Sequence, residues 1–411
     1  MPGLKYFLTR ITIVSLAFLI GCTAGTEVVV QKQHLKPLQI FPAFQNGYGS
    51  GMDQLAQPDD VEIQKNGNVI ITDVDNNRIQ YFNQVGKLLC SIDTSTLGLK
   101  DVEIIPTGIS SDGQGFIYVT MEGIGRIARF TEEMKFDQFI GRQGKITAEQ
   151  YYLPENDGVL IKPQGIIVSE SGDVFVIDMA KKVFKKEGVR NFGFRKFKKV
   201  QKADSTYFVY DKDFAASQEI TTIMRKSEGM AISEERNLLL IAEEKPSKDQ
   251  FGNSQKMRYI GVFDLTTGKF KNRLIGVTLA DGQIIDGTTD ESIEGLSVFS
   301  DYLFAVAEKA GRVDCYDIDT GERLTHFGSR APFYCDDESD CISDGVNYNE
   351  QSIIAGTAQV HLLNNWRKNE LASPDGVCSI QLDNGQNRLA VVDQWNSRIL
   401  MYDLDDVLKQ K

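Results

Sequence analysis

The chain has 411 residues, a formal net charge of −12, and 41% hydrophobic and 9% aromatic residues, which is ample for a sizeable core. The acidic balance excludes nucleic acid as a partner, because phosphate backbones are held by clustered Lys and Arg, but it favours attraction of cations. His34, His326 and His361 are scattered and no Cys-x-x-Cys pair occurs, so no zinc-type ligand pattern is present.

At the N-terminus, Lys5 and Arg10 precede the apolar run Ile11–Ile20, which is followed by Gly21 and Cys22. A charged start, a short apolar stretch and a small residue at the cut site make a secretory signal, too short to span a membrane as a mature helix. The quartet Leu19, Ile20, Gly21, Cys22 resembles a bacterial lipobox, in which the Cys is lipidated and becomes the new N-terminus. The expected organisation is therefore a signal peptide over 1–21 and a lipidated tether over 22–35. A single domain over 36–411 follows, held at a bacterial cell envelope by lipid on Cys22. Five further cysteines remain: Cys90, Cys315, Cys335, Cys341 and Cys378. An oxidising envelope permits disulfides, and Cys335 and Cys341 are close enough to close a small loop. The odd number leaves at least one thiol unless a partner chain supplies its mate.

From residue 58 onward one unit recurs six times. Each copy has a lead residue, a turn position, a short strand and a second apolar strand that in five copies ends in an acid. The copies begin Pro58-Asp59-Asp60, Pro106-Thr107-Gly108, Pro163-Gln164-Gly165, Ser227-Glu228-Gly229, Ile293-Glu294-Gly295 and Pro374-Asp375-Gly376. Their second strands end at Asp73, Met121, Asp178, Glu243, Glu308 and Asp393. Successive turns lie 48, 57, 64, 66 and 81 residues apart, yet turn and strand end are separated by 13, 13, 13, 14, 13 and 17. A fixed inner hairpin with variable outer loops is what stacked blades need, since ring closure protects sheet edges. The predicted fold is all-β, a six-bladed β-propeller. Leu38–Phe44 has no inner hairpin before it and reads as the outer strand that completes the last blade. Residues 181–205, rich in Lys and Arg, and 329–373, with the Cys335–Cys341 loop and a possible helix around 350–370, read as insertions.

In a blade, the start of the first strand and the end of the second meet on one rim. Four lead positions (Asp59, Glu228, Glu294, Asp375) and five strand ends (Asp73, Asp178, Glu243, Glu308, Asp393) carry acids, so nine carboxylates could face one funnel. Crowded like charges call for cations, and a loose ring of oxygens suits Ca²⁺, which takes six to eight ligands at about 2.3–2.6 Å. The competing reading pairs the strand-end acids with Arg five residues on, as in Asp73 with Arg78 and Asp393 with Arg398, giving structural bridges. Arg258 and Arg312 occupy similar places. No G-x-S-x-G elbow and no Gly-rich phosphate loop opening a helix is present.

Two resemblances follow from these motifs. Gln57–Phe82, with Asn76, Asn77, Arg78 and Ile79, resembles NHL-repeat propellers. The later repeats resemble calcium-dependent β-propeller phytases: Ser227–Ile232, Leu239–Glu244, Ile293–Leu296, Tyr302–Glu308, Asp375–Val377 and Leu389–Gln394. The phytase resemblance implies a metal-dependent phosphoester hydrolase. Carried across by motif, Ca²⁺ ligands fall on Asp59, Glu228, Glu243, Glu294, Glu308, Asp375 and Asp393. Glu228 and Glu294 are the candidate catalytic carboxylates that act with metal-bound water. Ser292 and the loop Val74–Asn77 depart from that family's pattern, which leads one to expect an acid and a lysine there. Lys181, Lys182, Lys185 and Lys186 leave the same rim and are the candidate contacts for an anionic small molecule. The NHL resemblance implies instead a non-catalytic propeller that binds a protein, peptide or glycan partner in the envelope. A lactonase-like hydrolase with one metal deep in the funnel is the third reading.

Overall fold

Each repeat folds as a four-stranded antiparallel sheet, and the six sheets form a six-bladed β-propeller. The computed structural model describes residues 35, 37–41, 49–52, 54–142, 150, 158–179, 193–203, 205–214, 229–248, 254–274, 277–278, 284–285, 293–308, 310–330, 341–343, 346–348 and 370–410. The propeller belongs to the unit Leu35–Lys411.

Blade 1 consists of Pro58–Ile63, Val69–Asp73, Arg78–Phe82 and Leu88–Ile92. Blade 2 consists of Pro106–Ser111, Ile117–Met121, Arg126–Phe130 and Phe136–Ile140. Blades 3, 4 and 5 start at Pro163–Val168, Met230–Ser233 and Ile293–Phe299. Blade 6 takes three strands from the C-terminal end, Pro374–Gln381, Asn387–Asp393 and Arg398–Asp403. Its fourth strand is Gln39–Phe41, which runs antiparallel to Arg398–Asp403 with Ile40 opposite Leu400 and Phe41 opposite Ile399. The chain thus closes the ring by joining its two ends within one sheet, the arrangement expected for residues 38–44, of which 39–41 form the strand.

Second strands such as Val69–Asp73, Ile117–Met121 and Val174–Asp178 are near-continuous apolar runs buried along their whole length, so the sheets bury both faces against their neighbours. Six buried clusters result, one at each seam between blades. The closing seam joins Val61, Ile71 and Phe82 of blade 1 to Ala390, Val392 and Ile399 of blade 6. Phe41 belongs to that cluster, fully buried, with its ring edge-on to Phe82 at 6.1 Å.

The basic segment 181–205 is not wholly an insertion. Gly193–Lys202 is the third strand of blade 3, paired with Val174–Asp178 on one side and Ser205–Tyr210 on the other. Its cations have partners inside the fold. Lys196 is buried over the Phe175 and Phe214 rings, 3.2 Å from Asp173, and Lys199 reaches Asp112 at 3.0 Å. Aromatic faces and carboxylates allow a sheet to hold lysines that the sequence alone presents as part of an insertion. In the segment 329–373, Ser329–Arg330 pairs in parallel with Glu370–Leu371, and Cys341–Ser343 forms a hairpin with Val346–Tyr348. The possible helix at 350–370 lies outside the described residues.

Candidate functional site in the propeller channel

The six inner strands surround a cavity of about 750 Å³. What reaches it is decided by a β-bulge that recurs at the start of the inner strand. In blade 1, Pro58 pairs with Asp73 and Val61 with Ile71, so Asp59 and Asp60 together stand opposite the single residue Thr72. The same shift occurs at Pro163/Ile166, Ile293/Leu296 and Pro374/Val377. A bulge re-aims the residues it contains. Asp59, Gln164, Glu294 and Asp375, the residues following the first strand residue, all line the channel. In blade 1 the bulge is fastened by Thr72, whose hydroxyl accepts the amide of Asp60 at 2.9 Å.

Glycine at the turn position has a packing cause. A Cβ on Gly295 would lie 2.3 Å from the carbonyl oxygen of Asp375 in the next blade, and one on Gly229 would lie 2.2 Å from that of Glu294. The inner strands approach too closely there for any side chain. Blade 1 alone carries a carboxylate at this position. Asp60 accepts the amide of Ile109 in blade 2 at 3.0 Å and that of Val61 at 2.9 Å, so it staples two inner strands together. Burial raises its carboxyl well above the ordinary range, although both amide bonds oppose the shift.

Channel-lining carboxyls fall at three depths. At the mouth stand Asp59, Glu294, Glu308 and Asp375. Gln394 spans the seam between blades 6 and 1, donating from Nε2 to Asp375 at 3.0 Å and to Asp59 at 3.4 Å. Glu308 accepts a hydrogen bond from Ser373 at 3.1 Å. Further in are Asp60 and Glu62, and at the far ends of the inner strands are Glu170, Glu234 and Glu235. No Lys, Arg or His is among the described residues that line the cavity.

Glu62 is a second perturbed carboxyl of the channel, held from two neighbouring blades. One oxygen accepts the hydroxyl of Ser111 in blade 2, and the other faces the thiol of Cys378 in blade 6 at 3.7 Å. Burial pushes its pKa up to about 7 against the pull of both hydrogen bonds. The Cys378 thiol is itself raised well above its ordinary value by burial and then by the neighbouring Glu62 charge, so it stays protonated.

The strand-end acids divide according to register. Asp393 pairs across the ladder with Pro374, is fully buried, and accepts Arg398 Nε at 2.8 Å and the amide of Ala372 at 2.8 Å. Asp73 repeats this with Arg78 at 2.7 Å and Ala56 at 2.7 Å, and Asp178 accepts the amides of Ile161 and Lys162. None of the three lines the channel. For Asp393, expected as a metal ligand, the structure shows the bridging role instead. Glu243 also lies away from the channel, buried within blade 4 beside Gly261, with Arg273 Nε 3.5 Å from its carboxylate. Glu308 differs because Ile293 pairs with Ala307, one residue earlier, and a one-residue slip turns a side chain to the opposite face.

Four of the expected ligands, Asp59, Glu294, Glu308 and Asp375, are therefore brought to one mouth. Among the described residues, however, no three His, Cys, Asp or Glu side chains converge closely enough to hold a metal ion. Between Asp59 and Asp375 sits an amide donor, which already supplies the positive end of a dipole to both. Cys22, Lys181, Lys182, Lys185, Lys186, Glu228 and Cys335 lie outside the described residues, as does the side chain of Cys341. Asp60 and Glu62 were missed as site residues. Their signal is an Asp where five repeats have Gly, and a carboxyl two residues on, where the other repeats carry Ser110, Ile167, Ala231, Ser297 and Cys378.

No protein-family model and no curated protein matches the chain. Solved structures with a similar course of chain include a gluconolactonase from Xanthomonas campestris, 12% identical, TM-score 0.47, covering 85% of this chain and 87% of that one. A calcium-binding protein, regucalcin, from Agrobacterium tumefaciens is 8% identical, TM-score 0.45, covering 87% and 92%. Virginiamycin B lyase from Staphylococcus aureus is 13% identical, TM-score 0.41, covering 89% and 98%. Likenesses of this degree concern the fold and do not extend to activity.

Proposed function

We propose that this protein is an envelope-anchored propeller that binds a positively charged ligand in its channel. One observation carries the reading: the described channel lining holds nine carboxyl side chains and no Lys, Arg or His. Like charges lining one cavity repel one another, and the repulsion is relieved when a cation enters. The anchoring rests on the Leu19–Cys22 quartet.

Phosphoester hydrolysis of the phytase type is the second reading. It is favoured by Asp59, Glu294 and Asp375 lining the mouth, where the resemblance expects Ca²⁺ ligands. An anionic substrate would meet carboxylates on entry, so this reading requires cations to bind first. The described acids do not form a cage by themselves.

The test is a thermal melt of the purified full-length chain at low ionic strength. Its conditions are chelator, Ca²⁺, Mg²⁺, spermidine, or inositol hexakisphosphate. At least one cation is expected to raise Tm, and high salt to weaken the effect. A ligand at a hundredfold its Kd contributes about 2.7 kcal/mol, enough to be read clearly. Stabilisation by inositol hexakisphosphate in chelator would overturn the proposal. Phosphate release that appears only with Ca²⁺ would establish the second reading.

A further inference from the structure

We infer that Glu62, Ser111 and Cys378 form a niche partway down the channel that takes the ammonium group of an aliphatic primary amine. The inference rests on the reading of the channel as a cation site and names one ligand class for it. The three side chains come from the inner strands of three consecutive blades, 1, 2 and 6, and meet on the two oxygens of a single carboxyl group.

The chemistry of the niche separates the candidate cations. A dehydrated Ca²⁺ needs six or more oxygens, and the niche offers one carboxyl, one hydroxyl and a protonated thiol. A guanidinium asks for a bare carboxylate edge to engage with two parallel hydrogen bonds, whereas each Glu62 oxygen already has a partner on its own side. An ammonium is a compact charge with three donors. It can approach the carboxylate between those partners and donate to the Ser111 oxygen, whose hydrogen is already directed at Glu62. Apolar residues of the channel lining that are only partly buried, Ile167, Ile232 and Ile380, offer surface for an alkyl stem.

Among the described residues, the groups facing Glu62 are Asp60 on its own strand, Cys378 on blade 6 and the neutral Ser111 on blade 2. None is a cation that would satisfy the carboxylate before a ligand arrives. With its pKa about 7, Glu62 is half protonated at neutral pH, so an ammonium that binds the ionised form should release about half a proton. Apparent affinity scales with the ionised fraction and should fall about tenfold between pH 8 and pH 6.

The experiment is calorimetric titration of the full-length chain with n-pentylammonium, with Nα-acetyl-lysinamide, and with Ca²⁺. Each titration is run in two buffers of different ionisation enthalpy. Amine binding with proton release near neutral pH, weakened at least tenfold by Glu62→Gln and several-fold by Ser111→Ala, is the expected result. A response to n-pentylammonium alone identifies a free amine as the occupant. A response to both amines admits a lysine side chain of a peptide. If Ca²⁺ binds and neither amine does, the niche is overturned and the cation reading of the channel stands. If nothing binds, both fall. Amine binding without proton release, or unchanged in both variants, also overturns the niche.

Discussion

Asp393 and Arg398 meet at 2.8 Å inside blade 6, both buried, while the other carboxylate oxygen of Asp393 holds the amide of Ala372. The pair ties the blade's second and third strands to the segment that leads into its first strand. Asp73, Arg78 and Ala56 repeat the arrangement in blade 1. Acids in these positions shape the rim from behind, and the acids that can meet a ligand are those that line the channel, Asp59, Glu294 and Asp375 at the bulges among them.

Asp393→Asn is therefore expected to destabilise the fold without altering the cation response. Removing one charge of a buried pair leaves Arg398 uncompensated, which costs about 3–5 kcal/mol. Urea unfolding of the variant, with and without Ca²⁺, measures both quantities. An unchanged midpoint would show that the bridge is dispensable.

Stability should fall as pH rises towards neutrality, and Glu62 should be one cause. Its folded pKa of about 7 lies above the ordinary 4.5, so between those values the folded state binds more protons than the unfolded state. The loss of stability is therefore spread over about pH 4.5 to 7 and levels off above pH 7, where the group is ionised in both states. Glu62→Gln removes that contribution and should stabilise the protein at pH 8 by about 1–2 kcal/mol, discounted for the channel water that screens the charge. The gain should shrink to about a quarter at pH 5 and vanish only below about pH 4. A wild type and variant that differ equally at the two pH values would show that Glu62 titrates normally. Asp60, shifted in the same direction, should leave a residual slope in the variant.

The sequence carried the blades because turn and strand end keep a near-constant spacing, and it carried the closing strand because Leu38–Phe44 lacked a hairpin of its own. It did not carry the direction of side chains at the strand ends. Asp393 and Glu308 look alike in sequence, yet they pair one residue differently and face opposite ways. Lys196 and Lys199 fell within a segment read as an insertion, because their partners, Asp173, Asp211 and Asp112, come from other parts of the chain. Glu62 was silent for a related reason. Its environment is made by Ser111 and Cys378, which are 49 and 316 residues away.

Deleting residues 37–41 should open the ring. The deletion removes the edge strand of blade 6 and takes Phe41 out of the seam with blade 1. Loss of a buried Phe alone costs about 3–5 kcal/mol, and the exposed edge of Arg398–Asp403 invites pairing between molecules. Light scattering and a thermal melt should report aggregation and loss of a cooperative transition. A monomer with the wild-type Tm would show that the ring closes without this strand.

Cys22→Ser should free the protein from membranes or leave an unprocessed precursor, since the hydroxyl cannot take the thioether lipid. Fractionation and gel mobility of the variant against wild type decide the matter. Identical behaviour would remove the lipobox reading and the envelope anchoring with it.

Gln394 offers the most direct test of the channel mouth. Its amide nitrogen donates to both Asp59 and Asp375, holding two carboxylates on adjacent blades in place of a cation. Gln394→Glu keeps the length of the side chain but replaces that donor with a third carboxylate. Without metal, the lost hydrogen bonds and added repulsion should lower stability by about 1–2 kcal/mol. With millimolar Ca²⁺, three carboxylates now converge where two and an amide stood, and the ion should restore the loss. The variant's Ca²⁺-dependent rise in Tm should then exceed that of wild type. Equal rises in the two proteins would mean that Ca²⁺ acts elsewhere. A variant as stable as wild type in chelator would mean that the carboxylates at the mouth are too well screened by water to repel one another. In that case the charge argument for the mouth would fail, whatever binds deeper in the channel.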